Sequence, residues 1–213
     1  PVDGYLYLGN PDLPVETSRQ IEWQNNLKTS HGSMSLNLYL YRFKHYIFGQ
    51  VMSEDAFSYA NGWKRYIDGG SAQIKGLEWS LLQRFSQRFI FQGGMSYEES
   101  RLDRFQDFLP LIPPLEVHGS LTYESKRFWL QLDTHGAAAQ TNNSKVSGEN
   151  STPAFLIINL KGELDILPGL KLNLGVNNLT NQLYHEHLDW GDIYRPGRSG
   201  FVSLTLNNGI LGQ

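Results

Sequence analysis

The densest set of potential ligands in the chain is His185-Glu186-His187, followed within a few residues by Asp189 and Asp192. Two histidines at i and i+2 in an extended segment face the same way. With hard carboxylates beside them they match the donors of a transition-metal ion. The same residues serve to pack a loop, which is the reading preferred here, so no direct metal ligand is assigned. A second kind of chemistry is carried by Trp63, Arg65 and Tyr66 in one polar stretch, and by Trp190 and Arg195 beside the histidines. Aromatic faces stack on flat or cationic groups, and guanidinium forks pair with anions. Trp63, Arg65, Tyr66, His185, His187, Trp190 and Arg195 therefore form a candidate surface for a chelated metal complex with aromatic and acidic groups. Interfacial anchoring would use the same residue types.

Nucleophilic catalysis needs a serine, a base and a carboxylate in register with an oxyanion donor. Glu116, His118 and Ser120 alternate along one segment, but on its polar face, opposite Val117, Leu121 and Tyr123. They read as ordinary residues of a polar interior, and no enzyme is expected. There is no H-E-x-x-H string and no Gly-rich phosphate loop before a helix, since Gly93-Gly94 falls inside a strand. The absence of cysteine removes disulfides, zinc fingers and thiol catalysis, and no cofactor is called for. A formal charge of −3 without a basic block recommends no nucleic-acid partner.

The elements that must position these residues are strands. Phe155 to Ile166 places Leu156, Ile158, Leu160, Leu164 and Ile166 on one face, and Ile157, Asn159, Lys161, Glu163 and Asp165 on the other. Leu167-Pro168-Gly169 turns the chain into Leu170 to Asn177, where Leu172, Leu174 and Val176 alternate with Lys171, Asn173 and Asn177. Val202, Leu204 and Leu206 mark a further strand. Six segments precede these three: Arg19 to Ser30, Met34 to Phe48, Ala72 to Phe85, Arg88 to Leu102, Leu115 to Glu124, and one from Phe128. A phase slip near Lys75-Gly76 predicts a bulge. Tyr5 to Leu8 is a short strand-like tip.

Connections alternate short and long. Ser30 to Ser33, Ser86-Gln87, Lys126-Arg127 and Leu167 to Gly169 are short. Gly49 to Gly70, which includes Asp55 and Tyr59, is long and polar, as are Asp103 to Pro114, Ala137 to Ser151 and Thr180 to Pro196. A soluble sandwich has no reason to segregate loop lengths to one end, whereas an outer-membrane barrel has short turns on the periplasmic side and long loops outside. The expected fold is all-β: an antiparallel up-and-down transmembrane β-barrel fragment of about nine strands. The mean hydropathy of −0.39 is no obstacle, because a membrane strand needs apolar residues only at alternate positions. Leu36, Leu38, Leu156, Leu160, Leu172, Leu174, Leu204 and Leu206 are expected on the lipid side. A charge at Leu172 would be costly if it lies near the midplane. Tyr39, Tyr41, Tyr97, Tyr123, Phe128 and Trp129, near strand ends, fit interfacial girdles.

Three motifs carry a resemblance. Gly175-Val176-Asn177-Asn178-Leu179-Thr180-Asn181, with Tyr184, His187-Leu188 and Arg195-Pro196-Gly197-Arg198-Ser199 after it, is similar to the carboxyl end of TonB-dependent outer-membrane receptors. Gly9 to Ser18 resembles a loop of the same barrels, and Pro110-Leu111-Ile112-Pro113-Pro114 a third motif. The resemblance implies that residues 1–213 are the carboxyl-terminal portion of a receptor barrel of about 22 strands in the outer membrane of a Gram-negative bacterium. Such a receptor imports a chelated metal such as a ferric siderophore. Its partners would be the chelate at the extracellular loops, outer-membrane lipid, and an energy-coupling protein reached through a plug domain not in this sequence. The alternatives kept open are a passive pore or enzyme of the same membrane, and a soluble β-sandwich binding domain. A fragment with unpaired edge strands is expected to self-associate. The family pattern ends in an aromatic residue on its last strand; here Leu206 is followed instead by Asn207 to Gln213.

Overall fold

The computed structural model describes residues 3–53 and 62–206, so Asp55, Tyr59 and the segment after Leu206 lie outside it. Strands run in the order β1 (Leu6–Leu8), β2 (Thr17–Thr29), β3 (Gly32–Lys44), β4 (Ile47–Ser53), β5 (Trp63–Asp68), β6 (Ala72–Arg84) and β7 (Phe89–Leu102). They continue as β8 (Glu116–Glu124), β9 (Phe128–Ala137), β10 (Phe155–Leu167), β11 (Leu170–Asn177) and β12 (Ser199–Leu206). Nine of them form one antiparallel sheet in the order β2-β3-β6-β7-β8-β9-β10-β11-β12. Each is joined to the next by a short turn at one end or a long loop at the other. These are the nine expected strands, with ends shifted by a few residues.

Because side chains alternate, one register fixes every face. Leu38 pairs with Leu77, Leu77 with Tyr97, Val117 with Met95 and Leu121 with Leu132. Leu132 then pairs with Leu160, Leu164 with Leu172 and Leu172 with Leu204. Followed across the sheet, these pairs put all eight leucines of the expected set on one face, here the outer face. Many stay exposed, as Leu156 and Leu204 do. Apolar side chains left open on a continuous sheet face need an apolar surrounding. Inner positions are polar, with Asn159 hydrogen-bonded to Asp133 and Lys171 paired to Glu163.

The wall departs from expectation in three places. The second strand ends at Lys44 rather than Phe48, because His45 takes a left-handed φ of 56° and swings the chain into β4. The stretch read as a polar loop then holds β4 and β5, which join β1 in a separate three-stranded sheet. The predicted bulge at Lys75-Gly76 is absent: pairing on both sides of β6 is continuous. Ile74 faces inward, where it packs against a cluster of Phe48, Ala72, Leu102, Leu109 and Ile112. This cluster is the core of the long-loop end. An irregularity does occur, between Asp165 and Leu167 at a short turn.

Of the expected girdle, Tyr97, Tyr123 and Phe128 are on the outer face. Tyr123 contacts Phe89 and Phe128 with ring centroids 5.0 and 5.7 Å away, a cluster at the short-turn end. Tyr39, Tyr41 and Trp129 alternate with outer leucines and so face inward. Tyr39 donates to Glu98 at 2.5 Å, a bond lipid would not allow it to find. Its ring lies over Gly76 of the next strand, where a Cβ would overlap it. His118 over Gly94 and Phe201 over Gly175 repeat the arrangement on the inner face.

Candidate functional site

The long-loop end is knitted by a few buried polar side chains. Glu149, between β9 and β10, is the hub. Its Oε2 accepts from the Ser144 N–H at 2.9 Å, and its Oε1 accepts from the Leu111 N–H at 2.8 Å in the loop after β7. Oε1 also lies 3.2 Å from Nε2 of His187, in the loop after β11. That ion-pair contact is too poorly aligned to count as a hydrogen bond. Burial pushes the Glu149 carboxyl up, but His187 and the two N–H donors outweigh it and hold the group below its ordinary value of 4.5. The clasp is thus complete above pH 4.5 and lost as pH falls through the depressed folded value. Glu149→Gln is expected to cost about 1 to 3 kcal/mol, since the Ser144 and Leu111 N–H groups lose a charged acceptor. Faster hydrogen exchange at the Leu111 and Ser144 amides would register it, and unchanged exchange would remove the hub.

Asp107 adds a second tie, accepting from the Val146 N–H at 2.9 Å. Gln140 donates to the Ile112 carbonyl at 2.7 Å, which explains part of the Pro110 to Pro114 motif as loop packing. The carboxyl-end motif has a comparable role. Asn178, 3% exposed and at φ 49°, accepts from the Gln182 N–H and donates to the Gln182 and Pro196 carbonyls, closing the neck of its loop. Asn181 accepts from the Arg198 N–H at 2.9 Å. The sequence marked Thr180 to Pro196 as a long polar loop; its closure across the seventeen residues between Asn178 and Pro196 had no signal in the sequence.

The histidines do not converge. The buried His185 packs edge-on to Tyr194, with Nδ1 3.9 Å from Asp192 Oδ1. His187 turns to Thr152, 2.8 Å from its Nδ1, and to Glu149. Among the described residues no three His, Asp or Glu side chains gather to hold a metal. Arg195 is engaged within its own loop: Nε and NH2 make paired bonds of 2.8 and 2.7 Å to Asp189, and NH2 lies 3.1 Å from Glu186. The Arg195 guanidinium beside Asp189 holds that carboxyl below the usual aspartate range. The backbone of Trp190 opens a short 3-10 turn; its side chain lies outside the described residues.

The other candidates sit on β5. Arg65 is exposed and, among the described residues, has no acidic partner. Tyr66 is exposed and tilts against Tyr7, centroids 5.2 Å apart, which adds Tyr7 to the surface; the alternation of Tyr5, Leu6 and Tyr7 was its signal. Trp63 is half-buried and engaged. Behind them Lys64, with 4% of its side chain exposed, pairs with Asp3, lies 4.4 Å from the Tyr5 ring and reaches the Ser147 hydroxyl at 3.5 Å. The loop carrying Ser147 and Glu149 therefore touches both groups of candidates. The exposed Arg65 and the Tyr66–Tyr7 pair are carried by one ordered strand and present to opposite faces of the three-stranded sheet. His118 lies over Gly94 on the inner face of the wall.

A comparison with curated protein sequences finds no match. Among solved structures, the copper transporter OprC superposes with a TM-score of 0.78 at 19% identity, over 92% of this chain and 33% of that one. A ferric enterobactin receptor variant (PfeA) from Pseudomonas aeruginosa, in complex with enterobactin, gives 0.71 at 20% identity, over 94% and 32%. The FrpB iron transporter from Neisseria meningitidis gives 0.68 at 16%, over 94% and 32%. The chain spans about a third of the length of these proteins. Residues 1–179 match the family model for the TonB dependent receptor-like β-barrel, and with this coverage the chain belongs to that family.

Proposed function

We propose that this chain is the wall and loop surface of an outer-membrane receptor of a Gram-negative bacterium that captures a chelated metal, such as a ferric siderophore. The rest of such a receptor would supply the plug and its energy-coupling partner, and this portion would line the mouth. The observation that carries the reading is the segregation of ordered, polar and aromatic loops to one end of a wall whose outer face is apolar. An outside ligand meets those loops first. Within them the exposed Arg65 offers charge pairing and the exposed Tyr66 stacking to an anionic aromatic chelate, and residue type alone adds Trp190 as a further stacking group. Arg195 acts by holding its loop in shape through Asp189 and Glu186, and His185 and His187 act as packing groups.

The test compares ferric-chelate binding by the full-length receptor in native form and in the variants Arg65→Ala, Tyr66→Ala, Trp190→Ala and Arg195→Ala. A double alanine variant in the Lys126-Arg127 turn is the control. Loss of a charge-assisted contact predicts roughly a tenfold weaker affinity for Arg65→Ala. Arg195→Ala is expected to weaken binding less while raising exchange throughout residues 178–198. Equal affinity in the loop and turn variants, at equal surface amounts, would remove these loops from the site.

A further inference from the structure

Two histidines outside the candidate loops stand directly across a strand pair. His118 on β8 pairs with His135 on β9, and both face inward, since the adjacent Val117 and Gly136 take the outer face. Hydrogen bonds set how close they stand. The Ala138 N–H donates to the Leu115 carbonyl at 2.8 Å and the Ser125 N–H to the Phe128 carbonyl at 2.8 Å, at the two ends of this strand pair. Bonded and unbonded pairs alternate along an antiparallel ladder, so the bonded ones fall at the odd positions of β8. His118 and His135 are therefore a non-hydrogen-bonded pair, the kind whose Cα atoms come to about 4.5 Å and whose side chains stand closest.

A carboxylate reaches the same spot from the long-loop end. Glu186, in the loop after β11, places Oε1 3.8 Å from Nδ1 of His135, while its Oε2 is held 3.1 Å from Arg195 NH2. The first gap is too long for a hydrogen bond. It is near the spacing of two ligands on one metal ion, because bonds of about 2.0 to 2.2 Å at a tetrahedral angle set their ends about 3.4 Å apart. The His135 ring is steadied edge-on by Phe155, with centroids 5.4 Å apart. The His118 ring lies over Gly94 on β7, turned away from β9, so the three donors converge only when it swings about its Cα–Cβ bond. His118 is exposed, and an exposed side chain changes rotamer within nanoseconds.

We propose that His118, His135 and Glu186 form a binding site for a divalent transition-metal ion on the inner wall. Two imidazoles and a carboxylate suit Cu²⁺ or Zn²⁺ and disfavour Mg²⁺, which asks for oxygen ligands alone. Water fills the remaining position, so the ion is held from one side and stays exchangeable. Because Glu186 belongs to the loop that carries Arg195, the bound ion also ties that loop to β8 and β9. The site takes a bare ion and is separate from the capture of a chelate by Arg65 and Tyr66.

Full-length receptor, native and as H118Q, H135Q and E186Q, is titrated in detergent with CuCl₂, ZnCl₂ and MgCl₂ by calorimetry, and copper-loaded samples are read by electron paramagnetic resonance. Loss of either histidine breaks the chelate and is expected to weaken Cu²⁺ binding at this site by roughly a hundredfold. The copper signal that native protein has and H135Q lacks should carry two imidazole nitrogens. Hydrogen exchange in residues 184–189 should slow when Zn²⁺ is added to native protein and stay unchanged in E186Q. Equal Cu²⁺ affinity and stoichiometry in native, H118Q and H135Q protein would overturn the proposal. So would Mg²⁺ binding as tightly as Cu²⁺, or fewer than two nitrogens on the native-specific copper. The outcome does not depend on whether Arg65→Ala weakens ferric-chelate binding, so the two readings fail separately.

Discussion

Leu160→Arg is expected to destabilise the receptor by about 2 to 4 kcal/mol, whereas Leu172→Arg should cost about 1 kcal/mol or less. Both residues face outward, and depth separates them. On β10 the outer positions within the band are Leu156, Ile158, Leu160, Gly162 and Leu164, and Leu160 is the middle one. Leu172 lies two positions past Leu170, which closes the short turn with Leu167, so a long cationic side chain there can reach the interface. The midplane condition attached to Leu172 in the sequence is therefore not met, and the costly position is Leu160. Guanidinium-driven unfolding of the full-length protein in phospholipid vesicles gives both numbers. Equal effects at the two sites would mean that the wall is not immersed as its outer face implies.

The second large effect concerns the three-stranded sheet. Asp3→Ala is expected to cost about 3 kcal/mol, and Lys64→Ala closer to 1, although both break the same pair. The asymmetry follows from exposure: the Lys64 side chain is 4% exposed and that of Asp3 31%. Without Asp3 the ammonium stays buried, with a hydroxyl at 3.5 Å and an aromatic ring as its neighbours. Without Lys64 the carboxylate can turn to water. In the intact pair burial raises the Asp3 carboxyl, but Lys64, Tyr7 and the Tyr5 N–H prevail and hold it below 3.8. Its contribution is thus present above pH 3.8 and lost as pH falls through the folded value. Hydrogen exchange across β1 and β5 should open more in Asp3→Ala than in Lys64→Ala. The reverse order would mean that the pair is not buried as described.

The wall was legible because it is written in a period of two. Leu156 to Leu164, or Met34 to Leu40, name their face whatever the rest of the chain does. The same parity already placed Tyr39 and Tyr41 opposite Leu38, so counting phase rather than nearness to a strand end would have kept them out of the girdle. Ile74 misled for the opposite reason. Its inward apolar side chain looked like a slipped strand, because the cluster it packs on comes from Phe48, Leu109 and Ile112, far away in sequence. The loop sheet was hidden too: β1, β4 and β5 are short and none carries a clean period of two, and pairing supplies what periodicity lacks. In the candidate site, residue type identified the cations but not their state. Arg195 and Arg65 look alike in sequence, and only the folded loop places Asp189 and Glu186 on the first and, among the described residues, no acid on the second.

The rings of Tyr39, His118 and Phe201 recline on Gly76, Gly94 and Gly175 instead of standing off the wall. A reclining ring takes up about one van der Waals contact of depth, roughly 3.5 to 4 Å. The wall thereby keeps aromatic mass for stiffness without narrowing the bore it helps enclose, and each glycine acts as a recess cut to receive a ring. An alanine at Gly76 would lift Tyr39 away from the strand and into that clearance, so the diameter left for anything housed or moving inside depends on three positions that carry no side chain at all.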